Sequence, residues 1–305
     1  MDYGQVIGDT VMNLTPMERL RRSGVTPDRS LGQNFLIDPN ILDVIEKTAG
    51  LGSDDSVLEV GPGLGVLTER LVGRCALVHC VELDRRLAAM LVEEFGGLAN
   101  FRLHQADAMK FPLGELDPQP AKFVSNLPYN VAAPLVMKSL EELAGARLWC
   151  LMLQKEIADR FFAATGAANY GGISVMVQLL CLKLSSRHIS GSVFYPRPRV
   201  RSSLLAFRRR EGESFTTSHF RLVRSLVAAS FSHRRKTLAN SLVEAESELA
   251  LPVLSRIDTS SRKKFVEKLL GDAGIASNAR PQELAPGQYE ELAMMISNIE
   301  DSGNA

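Results

Sequence analysis

The chain has few of the features that mark secreted, membrane-spanning or metal-binding proteins. Its four cysteines form no C-x-x-C pair and its five histidines are scattered, so neither a disulfide framework nor a metal site is expected. The first ten residues contain no basic segment followed by an apolar one, so we expect no signal peptide. The most apolar stretch, residues 174–182, is interrupted by Gln178 and falls short of the ~18 residues that a membrane span needs. The sequence therefore predicts a cytoplasmic, metal-free protein with buried cysteines.

The chain also lacks net charge. Its 35 Lys and Arg residues balance 35 Asp and Glu residues, which taken alone argues against nucleic-acid binding. The charges are unevenly distributed, however, because residues 187–240 contain twelve Lys and Arg residues and two acids. We call this segment the basic tract. A run such as residues 208–210 is common at a solvated strand end, but so many cations in one segment predict a surface that binds folded RNA through its backbone.

The organisation of the chain changes twice along its length. Residues 1–30 are poorly patterned and are predicted to form a mobile arm. Apolar, strand-like runs then alternate with helical patterns to residue 210, which predicts an α/β domain with a doubly wound parallel sheet. From residue 211 to 305 the pattern is helical, which predicts a smaller second domain. Strands are expected at residues 57–60, 77–82, 101–104, 122–126, 148–153 and 204–208, and helices at residues 66–72, 85–95, 131–143, 154–164, 173–182, 218–231, 234–244 and 283–298.

A glycine-rich turn, GPGLG at residues 61–65, lies where the first predicted strand of this pattern meets a helix. It lacks the Lys and hydroxyl residue that end a P-loop. Val66 stands where the dinucleotide fingerprint requires glycine. The remaining pattern, G-x-G-x-G after an acidic residue, resembles motif I of class I S-adenosylmethionine-dependent methyltransferases. Alone, the turn fits equally well with a tight strand–helix connection that binds nothing.

Two acidic residues behind the turn favour a nucleoside ligand. Glu82 ends the second predicted strand, where a carboxylate can accept hydrogen bonds from both ribose hydroxyls. Asp107 follows the third strand, where a carboxylate can accept from an adenine amino group. The carboxyl ends of adjacent parallel strands meet at one edge of the sheet, which is where ligands bind in open α/β sheets. Capping of the next helix is the alternative role for Glu82 and its neighbour Asp84.

The sequence NLPY at residues 126–129 matches the [N/D/S]-x-P-[Y/F] motif of methyltransferases that act on amino groups attached to planar rings. Such an amino nitrogen is a poor nucleophile because its lone pair is conjugated with the ring. The Asn126 side chain and the Leu127 carbonyl can accept its hydrogens, and Pro128 stiffens the turn without adding a competing donor. Tyr129 offers a face on which an extruded base can stack. An ordinary β-turn is the alternative.

Together these motifs resemble the KsgA (RsmA) family of small-subunit rRNA adenine dimethyltransferases from about residue 30 to the end. The matching segments are LGQNFL at 31–36, EVGPGLG at 59–65, VELD at 81–84, QADAM at 105–109, NLPYN at 126–130, LQKE at 153–156, FYPRPRVRS at 194–202 and FSHRRKTL at 231–238. The resemblance implies a class I methyltransferase, Rossmann-like domain at residues 31–210 and an RNA-binding helical domain at 211–305. This chain departs from the family pattern at Ala239, where many relatives carry Arg or Lys.

The resemblance also implies an activity and the residues that perform it. The activity is dimethylation of two adjacent adenosines in the 3′-terminal hairpin of 16S rRNA within the immature small subunit, by a monomer that uses S-adenosylmethionine. The implied cofactor-binding residues are Asn34, Leu36, Gly61, Gly63, Glu82, Asp107 and Asn126. The implied methyl-transfer site comprises Asn126, Leu127, Pro128 and Tyr129, with Phe194 as a second aromatic wall; core packing is the alternative for Phe194. The implied RNA-binding residues are Arg197, Arg199, Arg201, Arg221, Arg224, Arg234, Arg235 and Lys236.

Two other functions compete with this one. The first is that of an Erm-type enzyme, which dimethylates an adenine of large-subunit rRNA; the match at residues 126–130 and in the RRKT segment at 234–237 favours the small-subunit family. The second is a non-catalytic RNA-binding assembly factor that retains the fold. A purely binding protein has no need for Asn126, Pro128 and Tyr129 together with Glu82 and Asp107, so the sequence favours an enzyme.

Overall fold

The computed structural model describes residues 14–28, 32–211, 217–233, 235–245, 252–255 and 257–302. Two compact units divide the chain. The first comprises Met1–Ala158 and Leu182–Arg209, and the second comprises Asp159–Cys181 and Arg210–Ala305. This division differs from the domains expected from the sequence, because residues 159–181 group with the C-terminal unit. The helix within that segment packs on helices of the C-terminal unit, a long-range pairing that local patterns do not reveal.

A seven-stranded sheet forms the centre of the first unit, with the strand order β4-β3-β2-β5-β6-β9-β7. Strands β2 to β6 are parallel to their neighbours and β9 is antiparallel to β6, so the predicted parallel sheet is confirmed with an antiparallel extension. The order reverses between β2 and β5, which creates a crevice at their carboxyl ends. The strands are β1 (Phe35–Leu36), β2 (Ser56–Val60), β3 (Leu77–Glu82), β4 (Phe101–Gln105), β5 (Lys122–Asn126), β6 (Leu148–Gln154), β7 (Cys181–Ile189), β8 (Phe194–Tyr195) and β9 (Ser202–Arg209).

Capping residues fix where the helices of the first unit begin and end. Asp38 accepts a hydrogen bond from the Asn40 N–H at 2.9 Å at the start of α2, and Gly50 ends that helix in the left-handed conformation. Asp84 caps α4 in the same way through the Arg86 N–H. The helices are α1 (Pro16–Ser23), α2 (Pro39–Ala49), α3 (Val66–Val72), α4 (Arg85–Phe95), α5 (Ala132–Glu142) and α6 (Lys155–Phe161), whose last residues belong to the second unit.

Part of the segment predicted as a mobile arm is a folded helix. Residues 1–13 and 29–31 lie outside the described residues, but α1 begins at a capping box in which the Thr15 hydroxyl accepts from the Glu18 N–H and the Glu18 carboxylate accepts from the Thr15 N–H. The Arg19 side chain of this helix is 1% exposed and forms ion pairs with Glu69 and Glu94. The prediction is therefore wrong for residues 16–23, because a buried arginine anchors a segment with few apolar side chains.

Trp149 of β6 is the largest fully buried side chain among the described residues. Its ring stacks on Phe207 of β9 with 5.4 Å between centroids, and its indole N–H donates to the Ser139 hydroxyl at 2.9 Å. The Arg209 guanidinium lies 5.2 Å from the indole ring. All four cysteines are buried with free thiols, as the sequence predicts.

Strand β7, one of the two edge strands of the sheet, differs from the internal strands. Strand β7 ends the strand order, and its residues 183–188 are all exposed, whereas the residues of β2 are all buried. Lys183 and Arg187 are four residues apart and therefore lie on the same face of this strand. The first two residues of β7, 181 and 182, fall within the helix predicted at residues 173–182, and the rest of the strand was not predicted. Because residues 183–188 are all exposed, no alternation of apolar and polar residues marks this strand in the sequence.

Helices form the second unit, which confirms the predicted helical C-terminal region. A buried aromatic group joins them: the Tyr170 hydroxyl donates to the Leu284 carbonyl at 2.9 Å, and the Phe231 ring lies 6.1 Å from that of Tyr289. The helices are α7 (Gly172–Leu180), α8 (Thr217–Phe231), α9 (Leu238–Val243), α10 (Pro252–Ser255), α11 (Thr259–Asp272) and α12 (Pro286–Ser302). Within the described ranges of both units, no helix is sufficiently long and apolar to cross a membrane.

Candidate active site

A cavity of about 630 Å³, part of which opens to solvent, lies at the carboxyl ends of β2, β3 and β5. We call it the first cavity. It is lined by the glycine-rich turn, the end of β3, the residues after β5 and the segment that contains β1. The structure therefore brings together residues that are up to 97 positions apart in sequence, Gly32 and Tyr129. Of the residues predicted from the sequence, those that line it are Asn34, Leu36, Gly61, Gly63, Glu82, Asn126, Leu127, Pro128 and Tyr129.

The glycine-rich turn is shaped by close contacts that leave no room for side chains. Gly61 and Gly63 have φ values of 69° and 58°, in the left-handed region. A Cβ atom on Gly61 would lie 3.2 Å from the Pro128 ring, and one on Gly63 would lie 3.1 Å from the Phe35 ring. The turn thus packs against both the NLPY segment and the β1 segment, and its backbone forms the floor of the first cavity.

Glu82 is held in place by backbone hydrogen bonds from the turn and from the next helix. Its Oε2 accepts from the Gly63 N–H at 3.1 Å and its Oε1 accepts from the Asp84 N–H at 2.9 Å. Burial raises the pKa of this carboxyl, and the two backbone donors partly offset that shift by stabilising its charged form. A carboxylate oxygen has lone pairs for a second donor, so Glu82 can also accept from hydroxyl groups in the cavity.

Asp107 lies close to this group but is not among the residues that line the first cavity. The Ala106 N–H donates to the Glu82 carbonyl at 3.0 Å, which places the QADAM segment beside the end of β3. The Asp107 Oδ1 accepts from the Met109 N–H at 2.9 Å and so closes a local turn. Its contact with an adenine amino group therefore stays a prediction.

Asn126 is oriented by the β1 segment. Its Nδ2 donates to the Asn34 carbonyl at 3.0 Å, while the Asn34 Nδ2 donates to the Gly32 carbonyl at 3.0 Å. Because the amide nitrogen of Asn126 is used in this way, its Oδ1 points away from Asn34 and can accept a hydrogen bond from a substrate. The β1 segment is in turn fixed by antiparallel pairing of Leu36 with Phe194.

Tyr129 lines the first cavity and also a second one of about 880 Å³, which is more open and shares Gly32, Gln33 and Asn34 with the first. Its hydroxyl forms a 2.5 Å hydrogen bond with the Ser202 Oγ, and burial raises the pKa of the phenol. The second cavity is lined by Gly32, Gln33, Asn34, Tyr129, Asn130, Gln154, Pro196, Arg197, Pro198, Arg199 and Val200. Tyr129 therefore lines both spaces, and two cationic residues, Arg197 and Arg199, line the second.

The position of Phe194 differs from the predicted one. Its side chain is 3% exposed and belongs to the hydrophobic core with Leu36, so it is not among the residues that line either cavity. The structure thus favours the packing role that the sequence left open, because the pairing of β1 with β8 turns this residue inward. The next residue, Tyr195, is 43% exposed.

Two polar residues at the site were given no role from the sequence. Gln33 accepts a hydrogen bond from the Asp28 N–H at 2.8 Å and donates to the Asp84 Oδ2 at 3.3 Å. Ser202 holds the Tyr129 hydroxyl. Both residues lie within motifs on which the family resemblance rests, and this was the only indication in the sequence that they belong to the site. A glutamine or a serine at such a position does not by itself predict a specific contact.

Glu59 lines the first cavity and is the most deeply buried carboxyl there, with 2% exposure. Burial raises its pKa to about 8, although hydrogen bonds from the Thr68 hydroxyl at 2.7 Å and the Cys80 thiol at 3.6 Å lower it. The folded protein therefore keeps Glu59 protonated at pH values where the unfolded chain, with an ordinary carboxyl pKa near 4.5, has lost the proton.

This shift predicts a pH-dependent stability that Glu59→Gln removes. Unfolding releases a proton from Glu59 between about pH 4.5 and 8, so its contribution to the free energy of unfolding falls as pH rises, by at most ~1.4 kcal/mol per pH unit. Urea unfolding at several pH values should show Glu59→Gln gaining stability relative to the wild type from pH 5 to 8. A difference that is constant with pH would mean that Glu59 is already ionised in the folded protein.

Comparison with known proteins agrees with this geometry. The family model for ribosomal RNA adenine dimethylases matches residues 26–270. A ribosomal RNA small subunit methyltransferase A from Rubrobacter xylanophilus is 38% identical over 271 residues, covering 89% of this chain and 95% of that protein.

Two solved structures are also similar over most of their length. The crystal structure of a dimethyladenosine transferase from Plasmodium falciparum aligns with a TM-score of 0.68 and 25% identity, covering 87% of this chain and 98% of the other. That of the 23S rRNA methyltransferase ErmE aligns with a TM-score of 0.58 and 26% identity, covering 87% and 100%. With most of its length matched by the family model and by a relative of 38% identity, the chain belongs to the ribosomal RNA adenine dimethylase family.

Proposed function

We propose that this protein transfers methyl groups from S-adenosylmethionine to the exocyclic amino nitrogens of two adjacent adenosines in the 3′-terminal hairpin of 16S rRNA. The observation that carries the proposal is that Tyr129 lines both cavities, while Asn126 lines the first. The first cavity has the acceptors and glycine backbone that a nucleoside donor requires. The second has an aromatic wall and cations suited to an extruded base and its phosphates. The name of the Rubrobacter xylanophilus relative supports the small subunit.

The residues of the chain bind and orient the two substrates in this mechanism. The Asn126 Oδ1 and the Leu127 carbonyl accept the two hydrogens of the target amino group, which favours a pyramidal nitrogen whose lone pair can attack. Tyr129 holds the base by stacking, and its bond to Ser202 fixes the ring. Glu82 and the Gly61–Gly63 backbone would hold the donor, which supplies an activated methyl group when bound. Because the methyl group is activated, alignment supplies much of the rate and no strong general base is needed.

The cations of the first unit that the family resemblance assigned to RNA lie at the mouth of the second cavity. Arg197 and Arg199 line it, Arg201 follows directly, and all three side chains are exposed. An RNA strand whose base enters this cavity would have its phosphates within reach of these guanidinium groups, which bind phosphate through two hydrogen bonds.

The second unit carries the remaining assigned cations. Arg221, Arg224, Arg235 and Lys236 are exposed, and Lys236 is paired with Glu244, which offsets part of its charge. Arg234 lies outside the described residues. We propose that the cations of both units contact rRNA and that the protein acts as a monomer on immature small subunits in the cytoplasm.

Charge reversal at the cavity mouth should weaken RNA binding without affecting the donor site. For Arg197→Glu combined with Arg199→Glu, we expect a loss of at least about tenfold in affinity for small subunits, with a shallower dependence of log Kd on log salt concentration. Filter binding at several salt concentrations measures both quantities. The matched control is Lys47→Glu with Lys110→Glu, which changes the net charge equally at exposed positions away from both cavities. Equal losses for both double variants would show a general charge effect rather than a site.

One experiment tests the proposed function directly. The protein is incubated with methyl-labelled S-adenosylmethionine and with either small or large subunits that lack the modification. We expect label in dimethyladenosine of small-subunit RNA. Label found only in large-subunit RNA would favour an Erm-type enzyme, and binding to subunits without label in either would favour the assembly factor.

A further inference from the structure

The N-terminal helix α1 is attached to the methyltransferase unit by a buried guanidinium and by Leu20, which belongs to the hydrophobic core. Arg19 forms ion pairs with Glu69 of α3 at 2.5 Å and with Glu94 of α4, and its Cζ lies 5.9 Å from the centre of the Phe95 ring. The side chains of Arg19 and Glu94 are 1% and 7% exposed. A second arginine on the same helix, Arg22, pairs with Glu93 of α4 at 2.9 Å, but both partners are exposed.

Arg19 also contacts the glycine-rich turn itself. Its Nη1 donates to the carbonyl of Leu64 at 3.4 Å, and Leu64 lines the first cavity although Arg19 does not. The next residue, Gly65, has a φ of 75° and is packed so closely that a Cβ there would lie 2.8 Å from the Phe95 ring. Arg19 and Phe95 therefore support the last peptide bond of the turn from outside the cavity.

This support matters because the glycines of the turn do not by themselves hold its backbone in one conformation. Glycines flank Leu64 on both sides and can adopt many backbone conformations, so the plane of the peptide between Leu64 and Gly65 can turn through the ψ of Leu64 and the φ of Gly65 if nothing holds its carbonyl. The turn is closed by a hydrogen bond from the Gly65 N–H to the Pro62 carbonyl at 3.0 Å. Rotation of the adjoining peptide would also move the Gly63 N–H that holds Glu82.

The chain after α1 makes a second connection to the site. It reaches Gln33 ten residues beyond the end of the helix, and Gln33 joins the Asp28 N–H to the carboxylate of Asp84. Asn34 follows, and its carbonyl orients Asn126. Both ends of this segment are thus fixed: Arg19 holds the helix against the turn, and Gln33 holds the strand segment against α4.

We propose that helix α1 supports the cofactor site from outside the first cavity and that Arg19 is a positioning residue, which acts through the Leu64 carbonyl to hold the glycine-rich turn in its binding conformation. Without the bond from Arg19 to the Leu64 carbonyl, the turn samples other conformations. The affinity for the donor then falls in proportion to the fraction of molecules whose turn has the binding conformation. The competing explanation is that Arg19 only attaches α1 to the unit, in which case its loss would lower stability but leave cofactor affinity unchanged.

The test compares Arg19→Met with Arg22→Met, its matched control on the same helix. Binding of S-adenosylhomocysteine is measured by titration calorimetry at a temperature at which urea unfolding shows each variant to be fully folded. We expect about tenfold weaker binding for Arg19→Met, and wild-type affinity for Arg22→Met, whose ion pair lies away from the turn. Wild-type affinity in a folded but less stable Arg19→Met would overturn the proposal.

A second pair of variants applies if Arg19→Met does not fold. Arg19→Lys keeps a positive charge beside Glu69 and Glu94, but one ammonium group lacks the span of a guanidinium and cannot serve both carboxylates and the Leu64 carbonyl. We expect an intermediate loss of affinity, about threefold. Glu94→Gln leaves the bond to Leu64 in place, so it should bind S-adenosylhomocysteine as the wild type does. Loss of affinity in Glu94→Gln equal to that in Arg19→Lys would attribute the effect to helix attachment and would also contradict the proposal. Neither result depends on the identity of the RNA substrate.

Discussion

Replacement of Asn126 by alanine should lower kcat for methyl transfer by about 10²- to 10³-fold, the effect typical of removing one fixed polar group from the reacting centre. The change removes the Oδ1 that we expect to accept from the target amino group. It also removes the Nδ2 that donates to the Asn34 carbonyl at 3.0 Å. Single-turnover methylation of small subunits with saturating donor measures the rate of the chemical step without product release.

Asn126→Asp is the informative companion to that variant. It keeps an acceptor for the target amino group but places a carboxylate against the Asn34 carbonyl, so we expect a loss of rate together with a disturbed β1 segment.

Thermal unfolding should show that Asn126→Ala lowers the free energy of unfolding by only about 1 kcal/mol, since one partly buried hydrogen bond is lost. A variant that unfolds globally, or one that retains a wild-type rate, would show that Asn126 has a structural role instead.

The second large effect concerns Glu82. In Glu82→Ala, we expect the Kd for S-adenosylmethionine to rise by at least about 100-fold, since two hydrogen bonds to a charged acceptor are each worth about 1.5–3 kcal/mol. The substitution also leaves the Gly63 and Asp84 N–H groups without their acceptor, so the glycine-rich turn is loosened. Calorimetric titration with the donor measures the affinity directly.

Glu82→Gln helps to separate the loss of hydrogen bonds to the donor from the loosening of the glycine-rich turn. The glutamine can still accept a hydrogen bond at one position, but its amide nitrogen opposes whichever donor it faces. We therefore expect a loss smaller than that of alanine. The control is Glu115→Ala, an exposed acid in the same unit that lines neither cavity. An unchanged Kd in Glu82→Ala would mean that the donor does not bind where the glycine-rich turn and β3 meet.

The sequence predicted those elements whose signals are local. Strands β3 and β5 and helices α3 and α4 have the expected bounds, because apolar runs alternate with capped helical patterns in that region. The first cavity followed from the same reasoning: ligand-binding residues at the carboxyl ends of parallel strands must converge once the sheet forms. Nine predicted residues line the cavity, although their individual roles stay predictions.

What the sequence did not predict depends on contacts between distant segments. Arg19 lies in the segment that the sequence predicted to be a mobile arm. It is buried because it pairs with Glu69 and Glu94, which are 50 and 75 positions away in the sequence. Phe194 lies in a motif beside two prolines, and only its pairing with Leu36 turns it into the core. Residues 159–181 look like a continuation of the α/β pattern, whereas α7 packs on α8 and α12. In each case the deciding partner is remote in sequence.

The exposed edge strand β7 has a consequence for how copies of the protein behave at high concentration. A chain with no net charge has no overall repulsion to keep its copies apart, and an open strand edge is a template on which another sheet can add. Lys183 and Arg187 lie on one face of β7, so like-charge repulsion opposes any pairing of two such edges that sets these residues opposite each other. The edge thus carries a local protection against such pairing that does not depend on the total charge of the protein.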